Sequence, residues 1–342
     1  MRAAVMRKKQ LHVEEMAEPK AGPGQVLAEV IACGICGSDL HALQFTDQMV
    51  EAAKASGSPG NFDPDKGVVM GHEFCARVLE PGPGVTNVQP GDTVVSIPVI
   101  MDGANVTTVG YSNVYNGGYA ERLLLLGPMC IKVPDGCDPR HAALTEPMAV
   151  GAHAVAKSGI KPGDAALVLG CGPVGLATIA ALRLAGIETI VAADFSTKRR
   201  ELALTMGAHE AVDPKQETGI AAWQRVDGKR PLVVYEAVGV KGMIDQAMND
   251  APPQSRILVV GVCMEYDTIW PMRGIAKELN IQFALGYTPQ EFNETLLAIA
   301  DGRIDVAPLI TGEVGIAGVP QAFRDLADPE QHAKILVVPS LG

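Results

Sequence analysis

Three short segments, far apart in the chain, carry the side chains best suited to chemistry. They are Cys33-Gly34-Ile35-Cys36-Gly37-Ser38-Asp39, Gly71-His72-Glu73 and Glu146-Pro147. A soft thiolate, an imidazole and carboxylates drawn from three segments can hold a zinc ion and leave one coordination position open. That open position distinguishes a catalytic zinc from a structural one. Cys33 and Cys36 also have the C-x-x-C spacing of a redox dithiol or half a zinc ribbon. The chain has no second C-x-x-C, and no thioredoxin-like strand–helix–strand pattern surrounds this one.

A second signal is Gly170-Cys171-Gly172-Pro173-Val174-Gly175, which follows one apolar run and opens another. Between a strand and a helix this is the setting of the dinucleotide fingerprint. Gly170 allows the tight turn, Gly172 lets backbone approach a pyrophosphate, and Gly175 lets helix and strand pack closely. Amides at the helix N-terminus, including that of Val174, then favour phosphate charge. Asp194 follows the next strand about 20 residues past Gly175, where a carboxylate accepts from ribose hydroxyls and repels a 2′-phosphate. NAD is therefore expected, although the basic run Lys198-Arg199-Arg200 keeps NADP open.

The elements that must position these groups fall into two kinds. Up to about residue 140 the chain reads as short strands broken by Gly/Pro turns, such as Gln25 to Ala32 and the cluster Pro81-Gly82-Pro83-Gly84. That pattern predicts a small barrel or sandwich. Residues 46–66 read as a polar excursion loop with a short helical stretch near Met49–Lys54. After Glu146 strands alternate with helices: Ala165–Leu169, Val174–Ala185, Thr189–Ala193, Lys198–Met206, Leu232–Tyr235 and Ile257–Val260. This is the rhythm of a doubly wound parallel sheet. Phe292–Ala300 reads as a helix and Ala333–Val338 as a terminal strand.

Composition narrows the function classes. The 342 residues are 47% hydrophobic and 20% charged, so two domains with real cores are expected. A net charge of −11 argues against nucleic acid, which demands clustered Lys and Arg. No secretory signal is visible at the N-terminus, and a cytoplasmic location is expected. Residues 165–182 carry no charge, but the glycines at 170, 172 and 175 and Pro173 interrupt them. A buried strand and helix explain that run better than a membrane span. Seven unevenly spaced cysteines do not suggest a disulfide framework, and Cys75, Cys130, Cys137, Cys171 and Cys263 read as core residues. Low aromatic content predicts a substrate pocket poor in rings.

Gly34 to Asp39, Gly71-His72-Glu73, Glu146-Pro147 and Gly170 to Gly175, in this order, resemble the zinc-dependent medium-chain dehydrogenases, the alcohol, polyol and butanediol dehydrogenase superfamily. The resemblance covers essentially the whole chain. It implies a GroES-like β-barrel catalytic domain from residues 1–150 with 288–342, and a Rossmann NAD-binding domain at 151–287. It matches Cys36 and His72 to zinc ligands. Glu146 stands where alcohol dehydrogenases in the strict sense have a second cysteine, and either Glu73 or Glu146 is the third ligand. Ser38 matches the hydroxyl that takes the alcohol proton and passes it through the cofactor ribose toward His41. Asp39 matches the carboxylate that orients the ligating histidine. Val238 and Gly261 would hold the far half of the cofactor. One zinc per chain is expected, because 96–121 lacks the cysteines that hold a structural zinc in many relatives. The resemblance implies hydride transfer from a secondary alcohol, diol or polyol to NAD in a homodimer or homotetramer. Rival readings are a zinc-free reductase of the same fold and an inactive nucleotide-binding protein with a structural or regulatory role.

Overall fold

The strand Gln25–Gly34 buries Val26, Ala28, Val30 and Ala32 while their neighbours stay half-buried. This period of two lays one face on a core. In the computed structural model, which describes residues 1–55, 63–102 and 105–342, this strand is the hub of a seven-stranded sheet. The order runs Cys130–Lys132, Thr93–Ser96, Glu73–Pro81, Gln25–Gly34, Lys334–Val337, Ile310–Val314, with Arg122–Leu126 also paired to the hub. Antiparallel register sets Gly34 opposite Glu73 on one side and opposite Leu336 on the other. The ends of three strands therefore meet where the cysteine segment leaves the sheet. The helix Gly37–Gln44 begins there, with Cys36 as its N-cap and Asp39 accepting from the Cys36 amide.

This sheet belongs to a unit made of Met1–Glu146, Phe292–Gly302 and Ile310–Gly342; Pro147–Glu291 with Arg303–Leu309 form a second unit. In the second unit six strands are all parallel, in the order Glu210–Val212, Thr189–Ala193, Ala165–Leu169, Leu232–Glu236, Arg256–Val259, Asn280–Phe283. Thr189–Ala193 and Leu232–Glu236 are buried throughout, because helices cover both faces of such a sheet. Residues 165–182 resolve into the strand Ala165–Leu169 and the helix Pro173–Leu184. No helix among the described residues is long and apolar enough to cross a membrane.

Several elements differ from expectation. The helix at Met49–Lys54 extends over Thr46–Ala55, while 56–62 of the expected loop lie outside the described residues. Glu146-Pro147 opens the helix Thr145–Ser158, because proline fits the first turn of a helix, where amides have no partner to lose. The helix read at Phe292 starts at Pro289, held by Glu291, whose carboxylate accepts from the Thr288 amide and hydroxyl. All seven cysteines are free, and Cys137 and Cys263 are only half-buried.

Candidate functional site

Among the described residues, one group of His, Cys, Asp and Glu side chains converges tightly. The donor atoms of Cys36, His72 and Glu73 lie within 4.8 Å of one another. Zinc bonds of about 2.0–2.3 Å at tetrahedral angles set donors about 3.5 Å apart, so small side-chain motions close this set on a metal. The Gly34–Glu73 register explains part of the convergence. A Cβ on residue 34 would lie 2.0 Å from Glu73 Oε2, so only glycine leaves room for that carboxylate. Glu146 stands outside the group, in the first turn of its helix. Cys33 also stands apart: it is buried, donates to the Gly34 carbonyl, and burial pushes its thiol well above the usual range. Its sulfur is not part of the converging donor set.

The groups around this set form a continuous network. Asp39 is fully buried and accepts from Tyr119 Oη at 2.6 Å and the Cys36 amide at 3.0 Å. Its other oxygen lies 3.5 Å from His72 Nδ1, a buried ring nitrogen without a well-formed hydrogen bond. Burial alone would raise the Asp39 pKa, but His72 and these donors outweigh it and hold it below the usual carboxylate range. Ser38 Oγ lies 3.5 Å from His72 Nε2 and 2.9 Å from the Tyr111 hydroxyl. His41 makes no bond to Ser38 among the described contacts, and its Nδ1 is buried without a partner. It faces a cavity of about 710 Å³ whose wall also includes Lys9, His12 and Arg324.

Three of these residues went unread in the sequence. Lys334, buried in the terminal strand, donates to both oxygens of Glu73 at 2.7 Å and to the Ile35 carbonyl at 3.0 Å. Burial opposes its charge, yet Glu73 and Cys36 keep its pKa raised. A lysine inside an otherwise apolar strand, Lys-Ile-Leu-Val, was the available signal. Tyr111 and Tyr119 carry no motif. Both hydroxyls reach Asp39, at 3.0 and 2.6 Å.

The dinucleotide fingerprint has the geometry its residues imply. Gly170 adopts φ +88°, and a Cβ on Gly175 would meet the Gly170 carbonyl at 1.9 Å. A Cβ on Gly172, the N-cap of Pro173–Leu184, would meet nothing within 4 Å, so open space lies over this helix N-terminus. Asp194 directly follows the adjacent strand and accepts from the amides of Cys171 at 2.7 Å and Ser196 at 2.8 Å. Buried Glu236 accepts from the amides of Val238 and Gly239, and a Cβ on Gly261 would lie 2.3 Å from the Gly239 nitrogen. Gly170, Asp194, Val238 and Gly261 thus gather at the carboxyl ends of the parallel strands, where ligands of open α/β sheets bind. Arg200 is engaged by the carbonyls of Asp194 and Phe195, whereas Arg199 Nε is buried without a hydrogen-bond partner.

Two donor sets of this chemistry, one for zinc and one for a dinucleotide, define a metal-dependent dehydrogenase. Comparison with known proteins agrees: the alcohol dehydrogenase GroES-like domain matches residues 22–135 and the zinc-binding dehydrogenase family residues 173–301. The chain is 32% identical to (R,R)-butanediol dehydrogenase of Bacillus subtilis (strain 168) over 97% of each protein. It is 27% identical to sorbitol dehydrogenase of Gallus gallus, covering 94% of this chain and 91% of that one. The crystal structure of 2R,3R-butanediol dehydrogenase from Bacillus subtilis superimposes with a TM-score of 0.85 at 31% identity over 99% of both chains. A zinc-binding dehydrogenase from Sinorhizobium meliloti 1021, bound to NADP, gives 0.84 at 28% identity over 99% of both. The chain belongs to the zinc-dependent medium-chain dehydrogenases. It is an oxidoreductase of the alcohol dehydrogenase family, with zinc and a nicotinamide dinucleotide as cofactors.

Proposed function

We propose that this protein oxidises a secondary alcohol, vicinal diol or polyol to the carbonyl compound with NAD, and catalyses the reverse reduction. The observation that carries this reading is the convergence of Cys36, His72 and Glu73 beside the Ser38 hydroxyl. The names of the butanediol and sorbitol dehydrogenase relatives support the substrate class.

Cys36, His72 and Glu73 hold the metal in this reading, and Asp39 fixes the ring of His72. Glu73 is favoured over Glu146 as third ligand because its carboxylate belongs to the converging group. When bound, zinc supplies Lewis-acid polarisation of the substrate oxygen and the dinucleotide accepts the hydride. Ser38 accepts the proton of the alcohol and releases its own toward His41, so the hydroxyl is unchanged in sum. Gly172 and the helix behind it receive the pyrophosphate, and Asp194 the ribose hydroxyls. Asp194 also disfavours a 2′-phosphate, which puts NAD ahead of NADP.

Initial rates on secondary alcohols, vicinal diols, polyols and ethanol, each with NAD and with NADP, test the proposal. Diols or secondary alcohols are expected to outperform ethanol, with NAD ahead of NADP. Asp194→Ser is expected to move the preference toward NADP. Ethanol as best substrate would refute the substrate class, and faster turnover with NADP would refute the cofactor assignment.

The second unit supports a further proposal, a homo-oligomer. Asn280–Phe283 is an edge strand; its Phe283 and, two residues on, Leu285 are exposed. An edge strand amid apolar side chains is a template for pairing, and a second copy related by a two-fold axis pairs it antiparallel with itself.

A further inference from the structure

Residues 96–121 contain no cysteine, and the structure shows another way of holding this lobe. A hairpin of Val99–Asp102 and Asn105–Thr108 is anchored by buried Ile100 and Val109. Asn113 then bonds the backbone of Asp63 and Gly67. The chain between these anchors delivers Tyr111 to the site.

Tyr111 meets three of the groups discussed above. Its hydroxyl lies 2.9 Å from Ser38 Oγ and 3.0 Å from Asp39 Oδ1, and its ring centroid is 5.3 Å from that of His72. A phenol carries one proton and can also accept, so in one arrangement Tyr111 donates to Asp39 Oδ1 and accepts the Ser38 proton. When Ser38 turns its proton elsewhere, the Tyr111 proton can swing from Asp39 Oδ1 to Ser38 Oγ, which is equally near. One phenol thus satisfies Ser38 Oγ in both halves of a proton exchange.

We propose that Tyr111 is a positioning residue for this dehydrogenase: it holds Ser38 Oγ beside His72 while one proton arrives at that oxygen and another leaves. The proposal rests on the reading of Ser38 as proton acceptor. Tyr111→Phe removes one oxygen and keeps the ring against His72. It is expected to lower kcat by about three- to tenfold, the size of one lost hydrogen bond, with KM changed less than about twofold. Zinc content and dinucleotide affinity should stay as in the wild type.

Because Tyr111 acts through Ser38, the double variant Ser38→Ala/Tyr111→Phe should be no slower than Ser38→Ala alone. Independent structural damage would multiply the two losses instead. A measurement independent of turnover and of the folding of Tyr111→Phe uses metal-free protein labelled with 13C at tyrosine Cζ. Ser38→Ala is expected to shift the Tyr111 resonance. An unshifted resonance, full turnover of Tyr111→Phe, or multiplicative losses in the double variant would each overturn the role of Tyr111. Full turnover of Ser38→Ala would instead overturn the proton-acceptor reading on which it rests.

Discussion

At the scale of single residues, the decisive fact is how few groups do several things at once. Asp39 closes the first turn of its helix by accepting from the Cys36 amide and at the same time approaches His72. Capping and orientation are therefore one interaction set, and Ser38 lies between them. Lys334 is the clearest case for a stability test. It compensates Glu73, whose carboxylate is fully buried, from 2.7 Å. Removing one member of a buried ion pair leaves an uncompensated charge and costs about 3–5 kcal/mol. Lys334→Met should accordingly lower the melting temperature of the metal-free protein, while Lys334→Met/Glu73→Gln should recover part of the loss. Equal melting temperatures for wild type and Lys334→Met would show that the pair contributes nothing net.

At the scale of elements, the two sites are made by strand ends. Where the hub strand stops, Gly34, Glu73 and Lys334 meet; where the parallel strands stop, Gly170, Asp194, Val238 and Gly261 meet. The turn after Ala165–Leu169 tolerates no side chain at its last glycine, because the opposing group is the Gly170 carbonyl, which cannot swing aside. Gly175→Ala is expected to weaken dinucleotide binding by more than about tenfold, or about 1.4 kcal/mol. Zinc content should be unchanged, since the donor set lies in the other unit. Titration of the variant by NADH fluorescence and metal analysis of the same sample check both halves. Wild-type affinity would mean that the helix can retreat from the strand without loss.

At the scale of the whole molecule, the metal-donor set belongs to one unit and the apolar edge strand to the other. Cys36, His72 and Glu73 are the only group of three or more His, Cys, Asp or Glu side chains among the described residues that meets metal-binding spacing. One zinc per chain is expected. Cys36→Ala should lose that zinc together with activity, yet remain folded and bind the dinucleotide. Two zinc ions per wild-type chain would contradict this. For assembly, sedimentation should report a dimer or tetramer, and Phe283→Lys/Leu285→Lys should yield smaller species. A wild-type monomer would leave the apolar edge without its proposed occupant.

The sequence alone determined the class of chemistry and the kinds of fold. Thiolate, imidazole and carboxylates are donors by their own nature. The glycine fingerprint is local, so its turn and helix could be read from adjacent residues. Period-two and strand–helix patterns are local too, which is why Gln25 to Ala32 and the parallel strands were legible. Which carboxylate joins the converging group was not, because that depends on register. Pairing of Gly34 with Glu73 draws one glutamate into the converging group, and the helix starting at Thr145 holds Glu146 outside it. Lys334 and Tyr111 stayed hidden for the same reason. Each reaches the site from a distant segment, through contacts across 261 positions to Glu73 and 73 to Ser38, and no local pattern encodes such a meeting. Only the packing of the sheet and of the cysteine-free lobe decides it.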